Sequence, residues 1–231
     1  MIDVATLGPL VVVSPHLDDA VLSCSGLIAS VPGTTVVTVF AGFPPGYPEV
    51  LHDGITAWDE ASGFRVGDDV VAIRRDEDRA ALSHLGGVPL WLDFVDSQYT
   101  TEPATPAMIA RGIASALADL RVQTIAFPLG LSHTDHERTH DACAQLLDES
   151  PELASNWVAF IDVPYRARYR AQAIERLEQL GDLGYDAEPF SPDAGERKSA
   201  ALAEYPSQLK ALAADMGNAA LPEECFLLHR R

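Results

Sequence analysis

The sequence predicts an α/β protein with a mostly parallel sheet and helices on both faces. Short apolar runs alternate with longer stretches of helical periodicity, a pattern typical of parallel strands joined by crossover helices. Two of the apolar runs lead directly into residues that can bind ligands, as happens at the strand ends of such sheets. The 231 residues are enough for one domain with a large core and few for two. We therefore expect residues 1–231 to form a single domain.

Each element is predicted from its hydrophobic pattern. Strands are runs of four to six residues rich in Val, Ile and Phe, such as Leu10-Val11-Val12-Val13, and helices are longer periodic stretches that begin after polar or turn residues. The predicted strands cover residues 9–14, 35–40, 89–94, 123–127 and 157–162. The predicted helices cover residues 19–30, 72–85, 107–120, 135–149, 167–180 and 195–214.

The first ligand cluster is Ser14-Pro15-His16-Leu17-Asp18-Asp19, at the end of the first strand. His16 and Asp19 are three residues apart between a strand and a helix, so both can point into one crevice, and a divalent metal is the usual reason for such a pair. An alternative interpretation is a proline turn followed by an aspartate that caps the helix.

The second cluster is Ser132-His133-Thr134-Asp135-His136-Glu137-Arg138-Thr139-His140, which follows the apolar run at 124–127. Since parallel strand ends share one edge of the sheet, the two clusters together offer two imidazoles and a carboxylate, the ligand set of a catalytic zinc. The alternatives are a solvated helix entrance capped by Asp135, and a helical ligand pair of His136 and His140. In this pair Glu137 follows His136, as in helical zinc sites, but the pattern of a downstream third ligand is missing.

Composition excludes several classes of protein. The 34 acidic and 16 basic residues give a net charge of −18, which argues against nucleic acid or an anionic membrane as partner and weakly favours neutral or cationic substrates. Three widely spaced cysteines, no long apolar run and an acidic start predict a cytoplasmic protein. Dinucleotide binding is disfavoured, because the first turn carries two carboxylates where a glycine-rich loop would be needed.

Pro15-His16-Leu17-Asp18-Asp19 and His133-Thr134-Asp135-His136 resemble the paired motifs of the PIG-L (LmbE-like) family of zinc-dependent N-deacetylases. Weaker matches at residues 74–86, 91–96, 198 and 205–208 extend the resemblance over about residues 11–212. The family has a Rossmann-like fold. It usually places Glu after the two aspartates, where this chain has Ala20; this departure removes no expected ligand, although it changes the surroundings of the metal.

The resemblance implies roles for individual residues. His16, Asp19 and His136 match the metal ligands, for Zn²⁺ or for Fe²⁺ or Co²⁺, which the same donors accept. Asp18 matches the general base and His133 the residue that stabilises the oxyanion, with Asp135 holding His133 protonated and oriented, or capping the helix, or both. Residues with weaker assignments are Arg74 as a substrate contact or a surface ion pair with Asp78, Asp96 as an acidic substrate contact, and His140 as pocket lining.

The function implied is hydrolysis of an N-acyl, mainly N-acetyl, amide on an amino sugar, a glycosylated small molecule or a natural-product intermediate. Many members of the family form oligomers, so a homo-oligomer is compatible with the resemblance. Two alternatives stay open: a non-catalytic metal- or sugar-binding module of the same fold, and a zinc hydrolase of a non-sugar amide or an ester. Substrate profiling would separate them.

Overall fold

The strands form one seven-stranded sheet in the order β3-β2-β1-β4-β5-β7-β6. The structure, a computed structural model, describes residues 2–44, 46–47, 55–163, 165–212 and 222–231. Strands β1 to β5 pair in parallel, whereas β7 pairs antiparallel with both β5 and β6. The strands are β1 (Leu10–Ser14), β2 (Thr35–Thr38), β3 (Val88–Trp91), β4 (Thr124–Pro128), β5 (Asn156–Phe160), β6 (Tyr185–Phe190) and β7 (Cys225–Arg230).

Helices cover both faces of the sheet. Within the described residues they are α1 (Asp19–Ser30), α2 (Ala57–Ser62), α3 (Val70–Leu85), α4 (Pro106–Leu117), α5 (Thr134–Glu149), α6 (Arg170–Asp182), α7 (Glu196–Ala203) and α8 (Pro206–Ala211). Side chains alternate along β1, so Val11 and Val13 join a core with α4, α5 and α6, while Val12 joins a second core with α1, α3 and α7. The predicted fold class, a mostly parallel sheet with helices on both faces, is confirmed.

Two strands and one α-helix were not predicted, and one predicted helix is longer than the helices found in its place. β6 is an edge strand whose middle residues, including Asp186, Glu188 and Pro189, are exposed, so it lacks the apolar run that marks a buried strand. β7 and the short helix α2 were also missed. The predicted helix at 195–214 is two helices, α7 and α8, because proline cannot continue a helix and Pro206 is instead the first residue of α8. The last residue of the predicted helix, Ala214, lies outside the described residues.

The topology brings the two ligand clusters together. β1 connects through α1 to β2 on one side, whereas the neighbouring β4 connects through α5 to β5 on the other side, so a crevice opens between the carboxyl ends of β1 and β4. The turns after β1 and β4 both reach that crevice, as the sequence predicts. Within the described residues, none of the helices is long and apolar enough to cross a membrane.

Helix α1, which begins at the first ligand cluster, is kinked at Cys24 (φ −135°, ψ 18°). In a regular helix the N–H of Gly26 would donate to the carbonyl of Leu22. Here the Lys198 ammonium donates to that carbonyl at 2.7 Å, and the Glu223 carboxylate accepts from the Gly26 N–H at 2.9 Å. Lys198 and Glu223 are themselves 2.8 Å apart, so an ion pair of the partly buried Lys198 and the buried Glu223 satisfies the backbone groups on both sides of the kink.

Candidate metal centre and active site

The turn after β1 is fixed by its own hydrogen bonds. The Ser14 hydroxyl donates to the carbonyl of His16 at 2.8 Å and accepts from the N–H of Ala20 at 3.1 Å. The N–H of His16 donates to the Asp19 carboxylate at 2.9 Å. Asp18 occupies the N-cap position of α1 but its side chain makes no cap hydrogen bond, so the alternative of a purely capping aspartate is wrong for this residue. Asp18 is one of the residues that line the crevice.

The turn after β4 places the second cluster. Gly130 has a φ of +74°, and a Cβ there would lie 2.5 Å from the Cβ of His140, so the turn needs glycine. His133, and not Asp135, is the N-cap of α5, and its Nδ1 accepts from the Asp135 N–H at 3.2 Å. Asp135 and His136 therefore lie in the first helical turn, both buried.

His16, Asp19 and His136 form a group that could hold a metal, with one ligand atom from each lying within 4.8 Å of the others. The Asp19 Oδ2 is 3.2 Å from His16 Nδ1 and 3.2 Å from His136 Nε2. Burial opposes a low pKa for Asp19, but His136 and His16 outweigh it and hold that pKa below its ordinary value. The donor set, two imidazoles and an ionised carboxylate, fits a divalent transition metal.

Asp162 orients His136, one of the three residues that could hold a metal, and the sequence analysis missed this contact. Its Oδ1 is 2.6 Å from His136 Nδ1, and its Oδ2 accepts from the N–H groups of Gly130 and Leu131 at 2.9 and 3.3 Å. A carboxylate on Nδ1 keeps the proton there and leaves Nε2 free for a metal. The sequence carried one signal for this: the predicted strand 157–162 ends in an aspartate at the same sheet edge.

Asp135 contacts the site differently from the prediction. Its carboxylate lies 3.4 Å from His16 Nε2 and accepts from the Ser97 N–H at 3.0 Å and from the Arg138 guanidinium at 2.9 Å. The contact that holds His133 comes from the Asp135 backbone, which corrects the predicted side-chain contact. Burial and the nearby His16 and His136 lower the pKa of His133, which corrects the expectation that Asp135 holds it protonated. Each histidine of the possible metal group thus has one ring nitrogen near Asp19 and a second carboxylate at its other ring nitrogen, Asp135 for His16 and Asp162 for His136. His16, His133 and Asp135 form a second, overlapping group of metal-binding type.

The crevice is a cavity of about 190 Å³ next to these groups. Arg74 and Asp96, the two predicted substrate contacts, both line it, as do Ala41 and Gly42 from the segment after β2. The remaining wall residues are mainly apolar or aromatic: Leu17, Leu22, Phe40, Trp58, Val71, Tyr99, Tyr165 and Leu212.

Two of the weaker predictions need correction. Arg74 is buried and pairs with Asp59 at 2.9 Å, so the alternative of a surface pair with Asp78 is wrong. Asp78 instead accepts from Trp91 and Tyr205. His140 does not belong to the cavity wall; it is buried with its Nδ1 2.9 Å from the carbonyl of Pro128, and burial lowers its pKa to about 4.

Ala20, where the resembling family has Glu, is buried in the apolar core on the α1 face of the sheet. Its neighbours in that core include Val12, Val21 and Cys24. The metal-type group beside it is assembled from His16, Asp19 and His136 without any contribution from position 20.

The fold and the site define an α/β protein of Rossmann-like architecture that carries a His–Asp–His metal-binding group at the carboxyl ends of its parallel strands. The family model of PIG-L, described as GlcNAc-PI de-N-acetylase, matches residues 11–147. The chain therefore belongs to the PIG-L family, as the two motifs predicted.

One relative and two solved structures compared with this chain share 26–28% of their residues with it. The chain is 28% identical over 187 residues to 2'-N-acetylparomamine deacetylase of Streptomyces fradiae, an alignment that covers 73% of this chain and 62% of that protein. The crystal structure of the A40926 pseudoaglycone deacetylase Dbv21 is similar with a TM-score of 0.73 and 28% identity, covering 96% of this chain and 97% of that one. A deacetylase–teicoplanin complex is similar with a TM-score of 0.72 and 26% identity, covering 96% and 98%.

Proposed function

We propose that the protein is a zinc-dependent N-deacetylase that hydrolyses an N-acetyl amide on an amino sugar or on a glycosylated natural-product intermediate. The observation that carries the proposal is the placement of Asp18 and His133 on the wall of the same cavity as the His16, Asp19 and His136 group. The described relatives, which are deacetylases by name, support the reaction class.

His16, Asp19 and His136 would hold the zinc. When bound, zinc supplies a Lewis acid that polarises the amide carbonyl and lowers the pKa of a water. The chain prepares this site in two ways. Asp162 and Asp135 orient the two imidazoles, and Asp19 lies within 3.2 Å of both.

Asp18 has the environment of a general base. Burial and the neighbouring Asp19 raise the pKa of its carboxyl to about 7. A carboxylate with a pKa near the working pH accepts a proton from water and returns it to the leaving nitrogen more readily than one with an ordinary pKa. Because Asp18 makes no cap hydrogen bond, its oxygens stay available for this transfer.

His133 has the environment of a neutral hydrogen-bond donor. Burial and the nearby His16 and His136 lower its pKa below the ordinary value. Its Nδ1 accepts the Asp135 N–H, so the proton of the neutral ring is on Nε2. The ring can donate that proton's hydrogen bond to the oxygen on which negative charge develops when the amide carbonyl is attacked.

The proposed partner is a small N-acylated molecule. The proposed location is the cytoplasm, which the three cysteines support, because all of them are free and buried thiols.

The test is acetate release by the zinc-loaded protein from N-acetylglucosaminides, with Asp18→Asn beside the wild type. We expect the variant to keep its zinc and to lose about 10²- to 10⁴-fold in kcat, because only the base is removed. The control is Asp148→Asn, which removes a charge from the exposed side of α5. Wild-type turnover by Asp18→Asn would contradict the assignment. Stoichiometric zinc without acetate release from any N-acetyl substrate would favour a different amide or ester, or a binding role.

A further inference from the structure

The only lysine or arginine among the described cavity-lining residues already has its charge neutralised. The Arg74 guanidinium lies 2.9 Å from Asp59 Oδ1 and donates to the Ser62 hydroxyl at 3.2 Å and to the Tyr99 hydroxyl at 3.3 Å. The Tyr99 hydroxyl in turn donates to Asp59 Oδ2 at 2.8 Å. Asp59 is fully buried and Arg74 is 6% exposed, so the pair is held away from water. Arg74 is therefore a poor receptor for an anionic substrate.

Two arginines near the cavity, Arg138 and Arg75, also have hydrogen-bond or ion-pair partners. Arg138 pairs with Asp135 at 2.9 Å. Arg75 donates to the carbonyl of Ala41 at 2.6 and 2.9 Å and packs against aromatic rings. Neither offers a free positive charge to the cavity.

The Asp96 carboxylate lines the cavity and, among the described residues, has no lysine or arginine within ion-pair distance. Asp96 accepts from the N–H and from the side-chain amide of Gln98, both at 2.9 Å, which fixes its orientation. Its nearest cationic group within the described residues is the imidazole of His16, whose Nε2 is 3.8 Å away. The Gln98 side chain in turn accepts from the hydroxyl of Thr56 at 2.6 Å, and Thr56 is the N-cap of α2, the helix that carries Asp59.

Aromatic side chains line the same cavity as the Asp96 carboxylate. Trp58, beside Asp59 on α2, is 39% exposed and lines the cavity together with Tyr99 and Tyr165. Aromatic faces and a fixed carboxylate both attract ammonium groups. The chain as a whole carries a net charge of −18, which favours the approach of cations and disfavours that of anions.

We propose that Asp59 determines which substrate charge the pocket accepts. By neutralising Arg74, Asp59 makes the pocket selective for N-acyl amino sugars that carry a further, positively charged amine. This inference rests on the proposed function and narrows its substrate class. A substrate ammonium that reaches Asp96 gains a charged hydrogen bond, and a phosphate or carboxylate at that place meets repulsion. One such bond corresponds to a preference of about 10- to 100-fold.

The experiment uses three disaccharides that differ in one sugar. N-acetylglucosamine is linked to glucosamine, to glucose or to glucuronic acid, which gives a cationic, a neutral and an anionic substrate of nearly equal size. We expect kcat/KM of the zinc-loaded protein to fall in that order, with at least a tenfold step between the cationic and the neutral substrate at low salt. The step should shrink as salt is added, because salt screens charges that are partly exposed.

Asp59→Asn tests the residue directly. The variant leaves Arg74 with an uncompensated charge. We therefore expect the ratio of kcat/KM between the cationic and the neutral substrate to fall, and kcat/KM for the glucuronic acid substrate to rise at least tenfold. The matched control is Glu60→Gln, which removes one negative charge from the exposed side of the same helix and should change neither. Circular dichroism and zinc content verify that each variant is folded. If Asp59→Asn does not fold, the wild-type substrate order and its salt dependence decide the question.

The outcomes separate the two proposals. Equal kcat/KM for the three disaccharides, or a preference for the anionic one, would overturn the charge inference and leave the deacetylase function in place. Acetate release from none of them would count against the proposed function itself, and the inference would fall with it. Calorimetric binding of the three deacetylated disaccharides provides a readout independent of turnover, and the same order is expected there.

Discussion

Replacing Asp162 by Asn should separate the orientation of the metal ligand from the chemistry of the cavity. The carboxylate serves two sets of groups: His136 Nδ1 at 2.6 Å through one oxygen, and the N–H groups of Gly130 and Leu131 through the other. Asparagine keeps the shape of the side chain but has one acceptor oxygen instead of two. It cannot satisfy both sets.

Either orientation of the introduced amide disturbs the site. If its oxygen stays with the two backbone N–H groups, its NH₂ faces His136 Nδ1 and drives the ring proton to Nε2, the atom that faces Asp19. If the oxygen turns to His136, two buried N–H groups lose their acceptor, at about 1–3 kcal/mol each. Loss of such an outer carboxylate typically weakens metal binding by about 10- to 100-fold, or about 1.4–2.8 kcal/mol.

The assay is competition for zinc with a chelator of known affinity, followed by acetate release at limiting and at saturating zinc. We expect Asp162→Asn to bind zinc at least tenfold more weakly and to recover much of its kcat at saturating zinc, because Asp162 does not line the cavity. Asp148→Asn, exposed on the same helix as His136, is the charge control and should bind zinc like the wild type. Wild-type zinc affinity in Asp162→Asn would refute the tautomer argument.

Three further predictions concern stability and turnover. Lys198→Met leaves the buried Glu223 without its partner, so urea titrations should show a free energy of unfolding lower by about 3–5 kcal/mol. The double variant Lys198→Met, Glu223→Gln should lose less stability than Lys198→Met alone. Equal losses in the two variants would exclude the ion-pair explanation. His133→Ala should lower kcat by about 10²-fold or more with nearly unchanged zinc content, and a parallel fall of both would argue against a donor role. Burial raises the pKa of Asp78 from 3.8 to about 6, so between these values the folded state holds a proton that the unfolded state has lost. The free energy of unfolding relative to Asp78→Asn should therefore fall by about 2 kcal/mol as pH rises from 4 to 6. A difference in urea midpoints that does not change with pH would refute this.

The sequence predicted the parts of the site that are local in the chain. His16 and Asp19 lie within five residues of the end of β1, and His133 and His136 lie within eight residues of the end of β4. Two short motifs and the rule for parallel sheets were therefore enough to bring them together. Asp162 also follows a predicted strand. It was missed because a single aspartate at a strand end has no distinctive spacing.

Contacts between distant elements could not be predicted in this way. The Asp59–Arg74 pair joins the short helix α2 to α3, and α2 itself was not recognised. Nothing in the neighbourhood of Lys198 or Glu223 indicates that their side chains meet at a kink in α1. Such contacts depend on how loops and helices pack, which hydrophobic periodicity does not encode. The same holds for the Asp135 carboxylate, which contacts His16 across the crevice instead of its chain neighbour His133.

The position of Glu223 has a consequence for the order in which the protein can be completed during synthesis. Helix α1 and its metal-ligand turn emerge from the ribosome first, but the carboxylate that accepts from the Gly26 N–H follows almost two hundred residues later. β7 is the strand that joins β5 to β6, so the sheet is also incomplete until the same segment has been made. A nascent chain ending before residue 222 therefore has both metal-ligand motifs but lacks the support of the helix that carries the first of them.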